Sequence, residues 1–185
     1  VSYVLEGNIN YTGAVISWLK NDLELIDSTS EGEPLIGRAN PEDTTVVVPA
    51  FTGLGAPYWD DEAKAAIMGM TRTTKKAEIV KAATESIAHQ IADVLRAMEQ
   101  DFGGKIAELR EDGGPTKNTY LMQFTADMTG TPVSASKTEE LSAIGAAYLA
   151  GIAAGCYNRE EIFSNIAYTS YQPAMEEKRR NLLSE

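Results

Sequence analysis

The chain has 185 residues, 43% of them apolar and 23% charged, enough for one globular domain that buries about 70% of its unfolded surface. Twenty-seven acids against sixteen bases give a net charge of −11 with no basic cluster. That speaks against nucleic acid as a partner, because its phosphates are held by Lys and Arg. A single cysteine, Cys156, excludes an intrachain disulfide and a thiolate zinc cluster, and no apolar run approaches the roughly 20 residues that span a bilayer.

The first residues, Val1 to Gly7, lack an initiator Met and the charged start and apolar core of a signal peptide. The chain is therefore expected to be an N-terminally truncated piece of a cytoplasmic protein, with no membrane partner. Val15, Trp18, Leu19, Leu23 and Ile26 recur at helical spacing and predict a helix over 10–26. Residues 27–43 read as a polar connection, followed by a strand at 44–49. A loop rich in Gly, Pro and aromatics then runs from Phe51 to Asp60, and a second short strand is expected over 65–70. Ile79, Ala82, Ala83, Ile87, Ile91, Val94, Leu95 and Met98 predict a long helix over 75–100, whose alanine-rich face suggests packing on a sheet. Leu109–Glu111 reads as a strand, 116–129 as a helix and 131–135 as another strand. Leu141 to Ala154 is a small-residue helix with Gly155 as its stop, expected to pack close to the sheet. The tail holds a short helix at 159–164, an extended stretch at 167–172 and a charged helix from 174. Strands alternating with helices argue an α/β fold. One domain is expected over 1–185.

Asp112-Gly113-Gly114-Pro115-Thr116-Lys117-Asn118 sits where a strand gives way to a helix. There, glycines admit a ligand close to the backbone and the N–H groups of a helix start can face phosphate. Asn118, one turn into the helix, carries donors and an acceptor suited to a purine or ribose. Asp-Gly-Gly is also ordinary turn chemistry. The P-loop pattern is absent, and Gly53-Leu54-Gly55 is followed by Tyr58 where a dinucleotide fingerprint requires its third glycine. Phe51, Tyr58 and Trp59 read as a packed plug, and Asp60 as a cap on the segment beyond. His89 reads as a helix-face residue and Cys156 as a buried small hydrophobe. The adjacent acids Glu139-Glu140 read as solvated surface, and no metal-ligand set is expected.

Four blocks resemble glycerol kinases, within the FGGY family of carbohydrate kinases. They are the helix with Gly13 and Trp18-Leu19, the run Val46 to Asp60, the block from Asp112-Gly113-Gly114 to Gln123-Phe124, and Glu139 to Gly151. Ala65 to Glu85 resembles the second signature of that family, with Thr84 in place of a bulky apolar residue, and the likeness thins over 158–185. The resemblance implies a ribonuclease-H-like, actin-like ATPase domain, the C-terminal half of a two-domain kinase. It implies ATP and Mg²⁺ as cofactors, with Gly13, Ser17, Gly114 and Asn118 as nucleotide contacts. Ser17 stands where glutamine is frequent, Glu111 replaces an apolar residue and Pro115 alters the turn. The catalytic base and polyol groups are expected outside this chain, in an N-terminal substrate domain. Glycerol is the expected substrate and a homo-oligomer is possible; another sugar kinase, or a non-catalytic nucleotide-binding module, is the alternative.

Overall fold

The computed structural model describes residues 4–138, 141–158, 162 and 167–184. Helix α1 spans Gly13–Asn21 and α2 Gly32–Ile36, the latter entered by a 3₁₀ turn at Thr29–Glu31. Strands β1 (Val46–Val48) and β2 (Ala66–Met68) pair antiparallel with Val47 opposite Ile67. Helix α3, Lys76–Phe102, is followed by β3 (Leu109–Glu111), α4 (Thr119–Thr129), β4 (Val133–Ser136), α5 (Leu141–Ala153), β5 (Tyr168–Tyr171) and α6 (Glu177–Ser184). In the second sheet β4 is central, parallel to β3 and antiparallel to β5. All four of its residues are buried, as expected for a strand covered on both faces.

The 27-residue helix α3 divides the interior into two cores. Its N-terminal half, through Val80, Ala82 and Ala83, packs with Val15 and Leu19 of α1, Ile36 of α2 and Val47 of β1. Its middle, through Ile87, Ala88 and Ala92, packs with Leu121, Met122 and Phe124 of α4 and Val133 of β4. The small side chains bring α3 against helix α4, so the alanine-rich face serves a helix pair more than a sheet. Glu78 anchors the start of α3: its carboxylate accepts the Lys75 N–H at 2.8 Å and the Asn40 N–H at 2.9 Å. Those bonds, that from Asn40 foremost, hold its pKa below the usual carboxylate value. Gly69 must be glycine, because at its φ of +73° a Cβ would lie 2.1 Å from the Thr44 carbonyl oxygen.

Several expectations are corrected. Helix α1 ends at Asn21, although Leu23 and Ile26 continue the apolar period, because the chain turns away with Glu24 at φ 51°. The polar connection contains α2, which Ile36 ties to the core. The helix foreseen over 116–129 is split: a 3₁₀ turn over Gly114–Lys117 precedes α4, with extended Asn118 between them. No residue of α5 is buried and Leu149 is 71% exposed, so α5 does not pack close to the sheet as expected. Cys156 is exposed, not buried. The helix over 159–164 and the acids Glu139-Glu140 lie outside the described residues.

Candidate functional site

A cavity of about 580 Å³ opens where α1, α2, the N-terminal half of α3 and the β3–α4 connection meet. Gly13, Ser17, Gly114 and Asn118, the four sequence-predicted contacts, all line it. They come from segments about a hundred residues apart in sequence, so folding alone brings them together. Apolar side chains from α1, α3 and α4 (Ile16, Leu19, Val80, Leu121) form one part of the wall. Polar groups form the rest: Thr29, Ser30 and Glu33 from the α2 segment, Thr84 from α3 and Lys117 from the turn. An apolar wall with a few convergent polar groups is the usual build of a small-molecule site.

The glycine turn is shaped by its backbone. Gly113 has φ +98°, which a side chain would strain. Pro115 is the second residue of the 3₁₀ turn, where its missing N–H is no loss. The Thr116 hydroxyl donates to the Gly113 carbonyl at 2.7 Å and closes the turn. A Cβ built at Gly114, or at Gly13, meets no protein atom within 4 Å. Protein packing therefore leaves both glycines room for an approaching group. Asn118 is the N-cap of α4: its Oδ1 accepts the Leu121 N–H at 3.0 Å. The carboxamide oxygen thus serves the helix, and the Nδ2 donors are what Asn118 brings to the cavity.

Sequence reasoning missed Glu33, Thr29, Ser30 and Lys117 as members of this wall. Glu33 accepts a hydrogen bond from the Thr119 hydroxyl at the first residue of α4, fastening the α2 segment across to the residue after Asn118. No local pattern marks it, since the two residues stand 86 positions apart. Thr84 is buried, and its hydroxyl is satisfied by the Val80 carbonyl at 2.8 Å. Glu111, just before the turn, has a buried Oε1 with no hydrogen-bond partner, and burial pushes its carboxyl up to about 7.

The aromatic loop is only half a plug. Phe51 packs between Tyr11 and Trp18, with ring centroids 5.2 and 4.9 Å away. Trp59 is 78% exposed and Tyr58, also largely exposed, donates its hydroxyl to Asp93 at 2.9 Å. Asp60 is the expected cap, its Oδ1 accepting the N–H groups of Glu62 and Ala63 at 3.0 and 3.1 Å. His89 is a half-buried helix-face residue edge-on to Phe124, and burial lowers its pKa. It borders a separate hollow of about 260 Å³ between α3 and the aromatic loop. Among the described residues no group of three or more His, Cys, Asp or Glu comes together to hold a metal ion. Among them, too, no helix is long and apolar enough to cross a membrane.

Comparison with known proteins gives the family. The family model for the C-terminal domain of the FGGY family of carbohydrate kinases matches residues 1–154. Glycerol kinase of Caldanaerobacter subterraneus is 48% identical over 185 residues, covering 99% of this chain and 37% of that protein. Glycerol kinase of Azotobacter vinelandii is 44% identical over 186 residues, covering 100% of this chain and 37% of its own. The chain thus spans a little over a third of the length of the curated relatives it matches. Among solved structures, Plasmodium falciparum glycerol kinase with ADP superposes with a TM-score of 0.85 at 34% identity, over 96% of this chain and 36% of that one. Xylulose kinase of Lactobacillus acidophilus shares the fold at a TM-score of 0.76 and 22% identity, over 95% of this chain and 36% of that one.

Proposed function

Because the chain belongs to the FGGY family of carbohydrate kinases, we propose that it is the ATP-binding part of an enzyme that phosphorylates glycerol to glycerol 3-phosphate. The observation that carries the substrate is the 44–48% identity, along the whole chain, to proteins that are glycerol kinases. The cavity that gathers Gly13, Ser17, Gly114 and Asn118 supports the nucleotide half of the proposal. The apolar wall takes the base, and the open glycines at 13 and 114 let phosphates approach the backbone N–H groups. The Asn118 Nδ2 donates to the nucleotide, and the short Ser17 side chain leaves space where a longer one would reach in. With a net charge of −11, such local donors have to do the binding without a general positive field.

Phosphoryl transfer asks for in-line positioning of the attacking hydroxyl and neutralisation of the transferred group. In the proposed mechanism this chain binds and orients the nucleotide. The base that takes the hydroxyl proton, and the groups that hold the polyol, belong to an N-terminal substrate domain. Mg²⁺ would arrive with the nucleotide. We place the protein in the cytoplasm, in keeping with its exposed thiol at Cys156. The uncovered apolar helix α5 favours burial against further protein, whether the substrate domain or another copy in a homo-oligomer.

The test is ATP-dependent phosphorylation by the full-length protein across glycerol, dihydroxyacetone, xylulose, ribulose and gluconate. Product from glycerol is expected. Product from a sugar instead would keep the mechanism and overturn the substrate, and no product from a folded protein would favour a non-catalytic nucleotide-binding module.

A further inference from the structure

Glu33 has no role in nucleotide binding as proposed, and it is the one carboxylate among the described residues that line the cavity. Any role given to it rests on the cavity taking a nucleotide. Glu33 is half-buried, and the Thr119 hydroxyl, donating from the start of α4, fixes its position. A carboxylate is a poor neighbour for phosphate, because two like charges at close range repel. Any nucleotide in this cavity therefore presents an uncharged part to Glu33. An ionised carboxylate also only accepts hydrogen bonds, so the matching part must carry O–H or N–H. On a nucleoside those donors are the ribose hydroxyls and the exocyclic amine of adenine. Thr119 engages one carboxylate oxygen, and the second has lone pairs to offer.

We propose that Glu33 is a specificity-determining residue, which accepts a hydrogen bond from a nucleoside donor and leaves the phosphates to Gly13 and Gly114. Its neighbours fit that division. Gly13 and Gly114 leave open backbone where phosphate can approach, while Glu33 sits with the hydroxyls of Thr29 and Ser30. A mutation that keeps the shape but removes the charge should relax the choice of nucleoside and leave phosphate binding in place.

The experiment is titration calorimetry of the full-length protein with ATP, 2′-deoxy-ATP, 3′-deoxy-ATP and inosine triphosphate, for the wild type and Glu33→Gln. The wild type should favour ATP over at least one analogue by roughly tenfold or more, the scale of one hydrogen bond to a charged acceptor. In Glu33→Gln that ratio should shrink about fivefold or more, with an unchanged melting temperature. Loss against a deoxy analogue assigns the ribose, and loss against inosine triphosphate assigns the amine. Thr119→Val, which frees the carboxylate from its anchor, should compress the same ratio and serves if Glu33→Gln folds poorly. ATP binding with unaltered ratios in both variants would overturn the assignment alone. Failure of the wild type to bind any of the four nucleotides would overturn the nucleotide proposal itself, and this assignment with it.

Discussion

Glu111 ends β3 with an oxygen that is buried and unpartnered, one residue before the turn that lines the cavity. Burial raises its folded pKa from 4.5 to about 7. The native state therefore holds this proton more tightly than the unfolded chain between those values. By linkage, stability is fully present below pH 4.5, falls as pH rises toward about 7, and is flat above. The loss is on the order of 3 kcal/mol at most. Melts of the wild type and Glu111→Val at pH 5 and pH 8 test this. The variant should gain on the wild type at pH 8 relative to pH 5; an equal gap at both pH values would refute it. Gly114 carries a second prediction at this scale. Its Cβ position is empty of protein, so Gly114→Ala should leave stability within about 0.5 kcal/mol of the wild type. If phosphates approach there, the same methyl should cost tenfold or more in ATP affinity. Equal affinity for ATP would move the phosphates elsewhere.

Among the elements, α4 would join stability to the proposed nucleotide binding through one residue. Asn118 caps the helix with its oxygen and offers its amine to the cavity, and two substitutions separate those roles. Asn118→Ala should lower stability by about 1 kcal/mol through loss of the cap. Asn118→Asp keeps a capping oxygen, so stability should hold, yet it replaces the two donors offered to the nucleotide with a carboxylate that only accepts. ATP affinity should fall tenfold or more in the aspartate variant while its melt stays put. A drop in stability without a change in affinity would leave Asn118 as a cap only. The same element shows what sequence can and cannot carry. Helix α3 was legible because its apolar positions, Ile79 to Met98, recur at 3.6-residue spacing over about five turns along one largely buried face. The split ahead of α4 was not, because periodicity is blind to a 3₁₀ turn and to one extended residue that caps. Helix α2 was missed for another reason: five residues that include a glycine and a proline offer too little pattern, and tertiary contact of Ile36 decides the conformation. The glycines at 13 and 114 were visible through the resemblance. Glu33 was not, because its place depends on a contact between residues 86 apart.

At the scale of the molecule, the candidate site is one wall of a larger arrangement. Residues from α1, α2, α3 and the β3–α4 turn build a nucleotide-sized hollow. Its one carboxylate among the described residues, Glu33, is assigned to the nucleoside and not to taking a proton from an alcohol. His89 and Asp93 of α3 face a different hollow on the side of the aromatic loop. A kinase built this way needs ATP on one domain to meet the polyol on another, and closure that excludes water while they react. The separation can be measured. The isolated 185-residue chain should bind ATP weakly, if the proposed substrate domain supplies the other half of the closed site, and show no glycerol-dependent turnover. The full-length protein should bind more tightly once glycerol is present, because each ligand favours the closed state and the coupling is reciprocal. Glycerol should leave ATP affinity of the isolated chain unaltered. Turnover by the isolated chain would place a base inside these 185 residues and overturn the division of labour. A full-length protein whose ATP affinity ignored glycerol would remove closure as the link between the two sites.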